Sequence, residues 1–185
     1  MTPLCRADDC LLVCIDVQER LADSMPGPST SRTVENIVRI LQSAELLDIP
    51  VLYTEQLPEA LGATVDAVRA ALPRSAQRFG KTSFSCCGNS DLIDALQSAH
   101  KRQIVLVGME AHVAITQSAI ELIEQGAEVY VIDDAVCSRR LAHWKSALMR
   151  MRQAGVNVSI TESVLFEWVR SSSHEHFNKI SWFLR

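Results

Sequence analysis

Three stretches of this chain place ionisable side chains where α/β proteins carry out chemistry. Asp16 follows five apolar residues at the end of the first predicted strand, and burying a carboxylate there is costly unless it is paired or used. Lys81 lies in the weaker predicted strand 78–84, and Glu110 and His112 lie where an apolar strand gives way to a helix. Each of these residues alone also fits a structural role, as an ion pair, a helix cap or a surface side chain.

Ala114 lies where the helix after the fourth predicted strand begins, within "IVLVGMEAHVAITQSAIELIEQG" (104–126). Open α/β sheets bind ligands at the carboxyl ends of their strands, where a helix N-terminus faces the crevice. A nucleophile, a charged group or a phosphate cradle is expected at such a position. The methyl group of Ala114 supplies none of these.

Segments typical of strands alternate along the chain with segments of helical periodicity. Most strand segments are continuously apolar, as expected when both faces of a parallel sheet are covered. The predicted strands are residues 10–18, 49–56, 78–84, 103–110, 128–135 and 156–163. The predicted helices are residues 31–48, 89–99, 112–126, 138–155, 163–170 and 174–185. Residues 25–30 are predicted as a loop and residues 57–77 as an irregular region with a short helical piece, and both suit the border of a pocket.

This alternation predicts an α/β fold with three αβα layers, in which helices flank a doubly wound sheet of six parallel strands. No repeat, low-complexity tract or long linker divides the chain, so one domain is expected over residues 1–185. The N-terminal stretch lacks the apolar segment of a secretory signal, and no apolar run approaches the roughly 20 residues that span a bilayer. We therefore expect a cytoplasmic protein without a membrane partner.

Net charge and cysteine content further limit the classes of partner that are expected. The net charge is −4 at pH 7 and the basic residues are scattered, so no nucleic-acid partner is expected. No two cysteines form the C-x-x-C pair that zinc sites favour, and most are expected to be reduced structural thiols, with Cys14 a small buried hydrophobe. The cysteines are Cys5, Cys10, Cys14, Cys86, Cys87 and Cys137.

Sequence motifs distributed over nearly the whole chain follow one pattern. They are "CIDVQERL" (14–21), "RFGKTSFSC" (78–86), the segment 104–139, and "TESVLFEWV" (161–169) followed by "HFNKIS" (176–181). Together they resemble the isochorismatase-like family of cysteine hydrolases, and most closely its small, metal-free isochorismatase-domain-containing and YcaC-like members. The resemblance implies an Asp–Lys–Cys triad on a six-stranded parallel sheet.

By this resemblance the triad aspartate is Asp16, the lysine is Lys81, and the cysteine position is occupied by Ala114. In the family, the helix N-terminus and the lysine favour a thiolate while the aspartate takes the thiol proton. The thiolate then attacks a carbonyl or imine carbon. Removing the nucleophile of a coupled triad costs about as much as removing the whole triad.

The resemblance also implies what surrounds the reacting carbon. A non-proline cis peptide bond between Met109 and Glu110, with Val113 nearby, is expected to form the turn that holds an oxyanion. Further pocket positions are expected at Gln18, Glu55, His112 and Gln117. Nicotinamidases of this family carry an Asp-x-His metal motif after the second strand, but residues 53–62 here read "YTEQLPEALG", so neither a metal nor a cofactor is expected.

The alanine at position 114 leaves several interpretations of function open. The principal one is a fold built for cysteine-dependent hydrolysis of a small amide-type C–N bond or related carbonyl substrate, inactive as written. The alanine is then either native, in a natural non-catalytic member, or an engineered replacement of cysteine. Isochorismate-cleaving members work without a cysteine-based covalent step, although the likeness here is to the cysteine branch.

Two alternatives remain. A displaced nucleophile must lie within reach of both its base and the oxyanion donors, which is a stringent demand. The candidates are Cys14, Cys86, Cys87, Thr116 and Ser118. The other alternative is a non-catalytic ligand-binding or scaffold protein. A homo-oligomer is expected, because the members that the chain resembles are oligomers and because the C-terminal stretch 177–185 is rich in apolar and aromatic residues.

Overall fold

One parallel sheet of six strands organises the computed structural model, which describes residues 4–185. The strand order is β3-β2-β1-β4-β5-β6 and every pairing is parallel. The strands are β1 Cys10–Ile15, β2 Val51–Gln56, β3 Gln77–Lys81, β4 Gln103–Met109, β5 Glu128–Cys137 and β6 Asn157–Ser159. The predicted doubly wound α/β sheet is confirmed, with its switch point between β1 and β4. Residues 1–3 of the predicted domain and N-terminal stretch lie outside the described residues.

Helices cover both faces of this sheet and complete a single three-layer domain. The α-helices among residues 4–185 are α1 Glu19–Asp23, α2 Gly27–Leu46, α3 Pro58–Leu61, α4 Asp66–Ala71, α5 Ser90–Ser98, α6 Thr116–Glu124, α7 Leu141–Gln153, α8 Thr161–Val169 and α9 Phe177–Phe183. A π-helical turn, Ala111–Ile115, joins β4 to α6, and 3-10 turns lie at Ala7–Asp9 and Cys86–Gly88.

The buried apolar side chains form one cluster on each face of the sheet. Leu12 and Cys14 of β1 belong to the cluster that includes Ile40 of α2. Val13 and Ile15 belong to the cluster formed with α5, α6 and α7. Because both faces of β1 are covered, its sequence is continuously apolar rather than alternating.

Several predicted boundaries are wrong. The strands predicted at 10–18 and 78–84 end three residues earlier, at Ile15 and Lys81. Residues 25–30 are not a loop throughout, since Pro26 precedes α2 and Pro28 suits its first turn, where the missing N–H is not needed. The last predicted strand, 156–163, is too long: β6 ends at Ser159 and α8 begins at Thr161, whose N–H and hydroxyl both donate to the Asp134 carboxylate. The irregular region 57–77 contains two short helices, α3 and α4, rather than one.

Gly108 sets the distance between the ends of β1 and β4. It pairs with Ile15 at a φ of 126°, and a Cβ added to it would lie 2.0 Å from the Ile15 carbonyl oxygen. Only glycine fits such a close backbone approach at a positive φ. The residues that follow β1 and β4 are thereby held side by side at the switch point.

Candidate active site

Asp16 follows β1 directly and lies at the switch point. Its φ is 51°, in the left-handed region, and its side chain is only 3% exposed. The Thr54 hydroxyl, at the end of β2, donates to Asp16 Oδ1 at 2.7 Å, and the Asp16 amide is within hydrogen-bonding distance of the Thr54 carbonyl oxygen, at 3.1 Å. The carboxylate is therefore held by the neighbouring strand as well as its own.

Lys81 reaches the same carboxylate from β3. Its side chain is fully buried, and Nζ donates to Asp16 Oδ2 at 2.6 Å and to Gln56 Oε1 at 2.7 Å. The carbonyl oxygens of Ser83 and Phe84 accept from the same ammonium at 3.1 and 3.0 Å. β2 lies between β1 and β3 in the sheet, so the Lys81 side chain crosses the carboxyl end of β2 to form the pair.

Burial determines the protonation behaviour of Asp16. Removal from water raises the pKa of its carboxyl group, and the Lys81 ammonium and the Thr54 hydroxyl oppose that rise without cancelling it. A carboxylate with a raised pKa accepts a proton more readily than one in water. Asp16 thus has the environment of a general base.

The turn after β4 forms the opposite wall of the site. The peptide bond between Met109 and Glu110 is cis, as predicted. The π-helical turn that follows is closed by hydrogen bonds spanning five residues: the Ile115 amide donates to the Glu110 carbonyl oxygen, and the Thr116 hydroxyl to that of Ala111. Ala114 lies in this turn and is 4% exposed.

A cavity of about 210 Å³ lies between these elements. Its wall contains five of the predicted site residues, namely Asp16, Met109, Glu110, Val113 and Ala114. The remaining wall residues are Leu21, Gln56, Leu61, Phe84 and Arg139. Lys81 is not part of the wall and acts on the cavity through Asp16. Leu61 comes from the region 57–77, which was expected to border a pocket, whereas residues from 25–30 line a separate depression.

Four predicted pocket residues do not line this cavity. Gln18 braces the backbone of Gln56 and Gly62, and Glu55 accepts hydrogen bonds from Thr64 and pairs with Arg78. Glu55 points away because side chains alternate along a strand, and its neighbours Thr54 and Gln56 take the positions facing Asp16 and Lys81. His112 and Gln117 are the other two.

His112 and Gln117 are directed elsewhere by the turn and helix that follow β4. His112 Nδ1 lies 3.0 Å from the Ser138 hydroxyl, and the centroid of its ring lies 4.6 Å from that of His143, with the two rings tilted by 42°. Burial lowers the pKa of His112, with the opposing effect of Glu110 too weak to reverse it. Gln117 lies exposed on α6, three residues beyond Ala114.

Three contacts of the site were missed from the sequence. Thr54 and Gln56 hold the Asp16–Lys81 pair, and Arg139 forms a two-pronged pair with the Glu110 carboxylate in the cavity wall, at 3.0 and 2.5 Å. The polar residues that end β2 were a usable signal, because carboxyl ends of parallel strands meet at one edge. Arg139 lies two residues beyond the end of β5, so the same rule places it at this edge of the sheet.

The candidate displaced nucleophiles also lie outside the cavity wall. Cys14 is buried within β1, where desolvation raises the pKa of its thiol to about 12. The Ser118 hydroxyl accepts a hydrogen bond from the Cys86 amide. Cys87 lines a different and larger cavity, a groove of about 830 Å³ between α5 and α6.

Two features are absent from the described part of the chain. Within residues 4–185, no group of three or more His, Cys, Asp or Glu side chains is arranged to hold a metal ion. None of the helices in this part of the chain has both the length and the apolar character needed to cross a bilayer.

The chain is a doubly wound α/β protein. Its buried Asp–Lys pair lies at the switch point of the sheet, where proteins of this fold bind their ligands. The sequence profile of the Isochorismatase domain matches residues 10–163. The chain is 36% identical over 170 residues to isochorismatase domain-containing protein 2 of Danio rerio, covering 92% of this chain and 83% of that protein. The chain therefore belongs to the isochorismatase family.

Solved structures agree with this assignment. A MAR1 ribonuclease from Caenorhabditis elegans superposes with a TM-score of 0.93 at 30% identity, over 98% of this chain and 92% of that chain. YcaC of Escherichia coli, an octameric hydrolase of unknown specificity, superposes with a TM-score of 0.90 at 20% identity, over 100% of this chain and 91% of that chain. At that identity, the likeness to YcaC concerns the fold alone.

Proposed function

We propose that the chain carries the site of a cysteine hydrolase in which Ala114 occupies the nucleophile position. It binds a small amide or related carbonyl compound without hydrolysing it. The observation that supports this most directly is that Ala114 and Asp16 line one cavity of about 210 Å³, while Asp16 is paired with Lys81 at 2.6 Å.

The chemistry of such a site explains why the methyl group is decisive. With a thiol at position 114, the Asp16 carboxylate would take the thiol proton, and the thiolate would attack the carbonyl carbon. Amide groups of the turn from Met109 to Val113 would stabilise the oxyanion. Alanine has neither a proton to give nor a lone pair with which to attack. Loss of a triad nucleophile reduces kcat by roughly 10⁶-fold.

A displaced nucleophile is the less favoured candidate function. Cys86 and Cys87 follow Lys81 closely in sequence, but neither lines the cavity that contains Asp16. A nucleophile must lie within hydrogen-bonding reach of its base, directly or through one water molecule. The position of both thiols outside this cavity therefore argues for loss of the nucleophile rather than its relocation.

The partners proposed for this chain follow from the same features. A cavity of about 210 Å³ suits a small molecule better than a polymer, and a net charge of −4 does not favour RNA, although the Caenorhabditis elegans neighbour is named a ribonuclease. We propose a cytoplasmic homo-oligomer that binds neither nucleic acid nor membranes. The octameric Escherichia coli neighbour and the exposed side chain of Trp182 in α9 support the assembly.

Replacing Ala114 with cysteine tests the proposal. The new thiol should react with iodoacetamide near neutral pH much faster than an ordinary cysteine of pKa about 8.5. The site is identified by peptide mass mapping, with the unmodified chain measuring the background from its six native cysteines. Ammonia release from a panel of small primary amides measures turnover, which should appear only in the cysteine variant.

The matched control is the double variant Ala114→Cys, Asp16→Asn, which keeps the thiol and removes the base. Its turnover should fall to background. Equal turnover by the single and double variants would contradict the role of Asp16. Hydrolysis by the unmodified chain, abolished by Cys86→Ser or Cys87→Ser, would instead establish the displaced nucleophile.

A further inference from the structure

The adjacent cysteines Cys86 and Cys87 lie in a tightly held turn outside the candidate active site. Cys86 is completely buried and Cys87 is half-buried. The Cys86 amide donates to the Ser118 hydroxyl at 2.9 Å, and the Cys87 amide to the Ser85 hydroxyl at 3.1 Å. These contacts tie the turn to α6 and leave one thiol inside the core and the other at the surface.

Cys87 opens onto the groove of about 830 Å³ between α5 and α6. The groove walls combine apolar side chains, such as Ile93 and Leu122, with the amides of Gln97 and Gln125. Its volume lies within the range of small-molecule sites, roughly 300–1,000 Å³. The groove is therefore large enough for a small molecule to bind beside Cys87.

Exposure distinguishes the two thiols, because Cys87 is the one cysteine among residues 4–185 whose side chain is not buried. The neighbouring Cys86 thiol lowers the pKa of Cys87, assisted by Ser85 and Gln125 and opposed by burial and the Glu121 carboxylate. The pKa of Cys86 is raised by the neighbouring Cys87 thiol and by burial. Cys87 is therefore the thiol that ionises first, and thiolates rather than thiols attack disulfides.

We propose that Cys87 is a site of thiol–disulfide exchange with a low-molecular-weight disulfide that enters the groove between α5 and α6. The Cys87 thiolate attacks one sulfur of the disulfide, forming a mixed disulfide on the protein. The other sulfur leaves as a thiolate and takes a proton from water. This inference does not depend on the function proposed for the Asp16 site.

The mixed disulfide should persist rather than be displaced by Cys86. Consecutive Cα atoms lie about 3.8 Å apart, whereas disulfides usually join Cα atoms separated by roughly 4.4–6.8 Å. Closing a bond between Cys86 and Cys87 would therefore strain the turn. Release of the bound group should instead require a second free thiol from solution.

Glutathione disulfide serves as the probe. The full-length chain is incubated with it near neutral pH, and intact mass and peptide mapping follow the product over time. We expect one glutathionyl group on Cys87, removed again by reduced glutathione, and none on Cys87→Ser. Modification of another cysteine at the same rate, or no modification, would overturn the site. A product that has a Cys86–Cys87 disulfide and no glutathionyl group would overturn the predicted persistence.

Discussion

Two buried carboxylates in the candidate cavity are held in opposite ways. Burial raises the pKa of Asp16 above its ordinary value of 3.8, despite the contacts with Lys81 and Thr54. Burial also acts to raise the pKa of Glu110, but hydrogen bonds from Arg139 outweigh it and hold that pKa below 4.5. Both residues are acids in one small cavity, yet their effects on stability should have opposite pH dependence.

Urea unfolding as a function of pH can separate these two effects, with Asp16→Asn and Glu110→Gln as a matched pair. Because the pKa of Asp16 is raised in the folded state, protonation of its carboxyl group contributes to the free energy of unfolding. This contribution is fully present below pH 3.8 and is lost as the pH rises through the folded-state pKa. The original chain should therefore gain stability relative to Asp16→Asn on acidification.

Glu110 should behave in the reverse sense. Its lowered pKa gives a stabilising contribution above pH 4.5, which is lost as the pH falls through the folded-state value. The original chain should lose stability relative to Glu110→Gln in acid. The stability difference between the original chain and Asp16→Asn should therefore change with pH in the opposite direction to that between the original chain and Glu110→Gln. A change in the same direction would show that the assigned environments are wrong.

At the scale of elements, the junction between β1 and β4 brings the two halves of the site together. β4 can approach β1 closely because Gly108 has no side chain, and the turn that contains Ala114 begins three residues later. The bulge between Leu106 and Gly108 in the pairing of β4 with β5 lies at the same point. The geometry of the cavity therefore depends on one backbone contact.

Gly108→Ala should destabilise the protein by about 3 kcal/mol or more, because a Cβ would meet the Ile15 carbonyl oxygen and φ is positive. Gly80→Ala in β3 is the control, since nothing lies within 4 Å of its added Cβ, and its effect should stay within about 0.5 kcal/mol. Chemical denaturation measures both. Similar losses for the two variants would show that the close approach of β4 to β1 is not needed.

At the scale of the whole molecule, apolar side chains remain at the surface of the C-terminal helix. The side chain of Trp182 in α9 is 68% exposed. Phe166 of α8, which is 37% exposed, lies beside Phe177 of α9. Large apolar side chains clustered at a surface are typical of protein interfaces. They support the proposed homo-oligomer.

Light scattering at micromolar concentration should give a mass at least twice that of the 20.5 kDa chain. Trp182→Glu should lower that mass, because it places a charge within the apolar surface. Met149→Glu, at a side chain 58% exposed on α7, is the control and should leave the mass unchanged. A monomer for the original chain would contradict the proposal.

Much of the architecture follows from the sequence by itself. Continuous apolar runs such as 10–18 and 103–110 locate strands covered on both faces, and the helical segments between them require parallel connections. The order of these segments, with Asp16 and the turn before Ala114 at strand ends, indicated the edge of the sheet at which a ligand binds. Boundaries were less accurate, since the transition at Thr161 depends on a hydrogen bond to the distant Asp134.

The composition of the cavity was decided only by the tertiary structure. Periodicity assigns a residue to a face of its own element but carries no information about distances between elements. The reach of Lys81 across β2, the support of Gln56 and the pairing of Arg139 with Glu110 all depend on such distances. The same reason excludes Gln18, Glu55, His112 and Gln117 from the wall, because their partners come from segments remote in sequence or, for Gln117, from solvent.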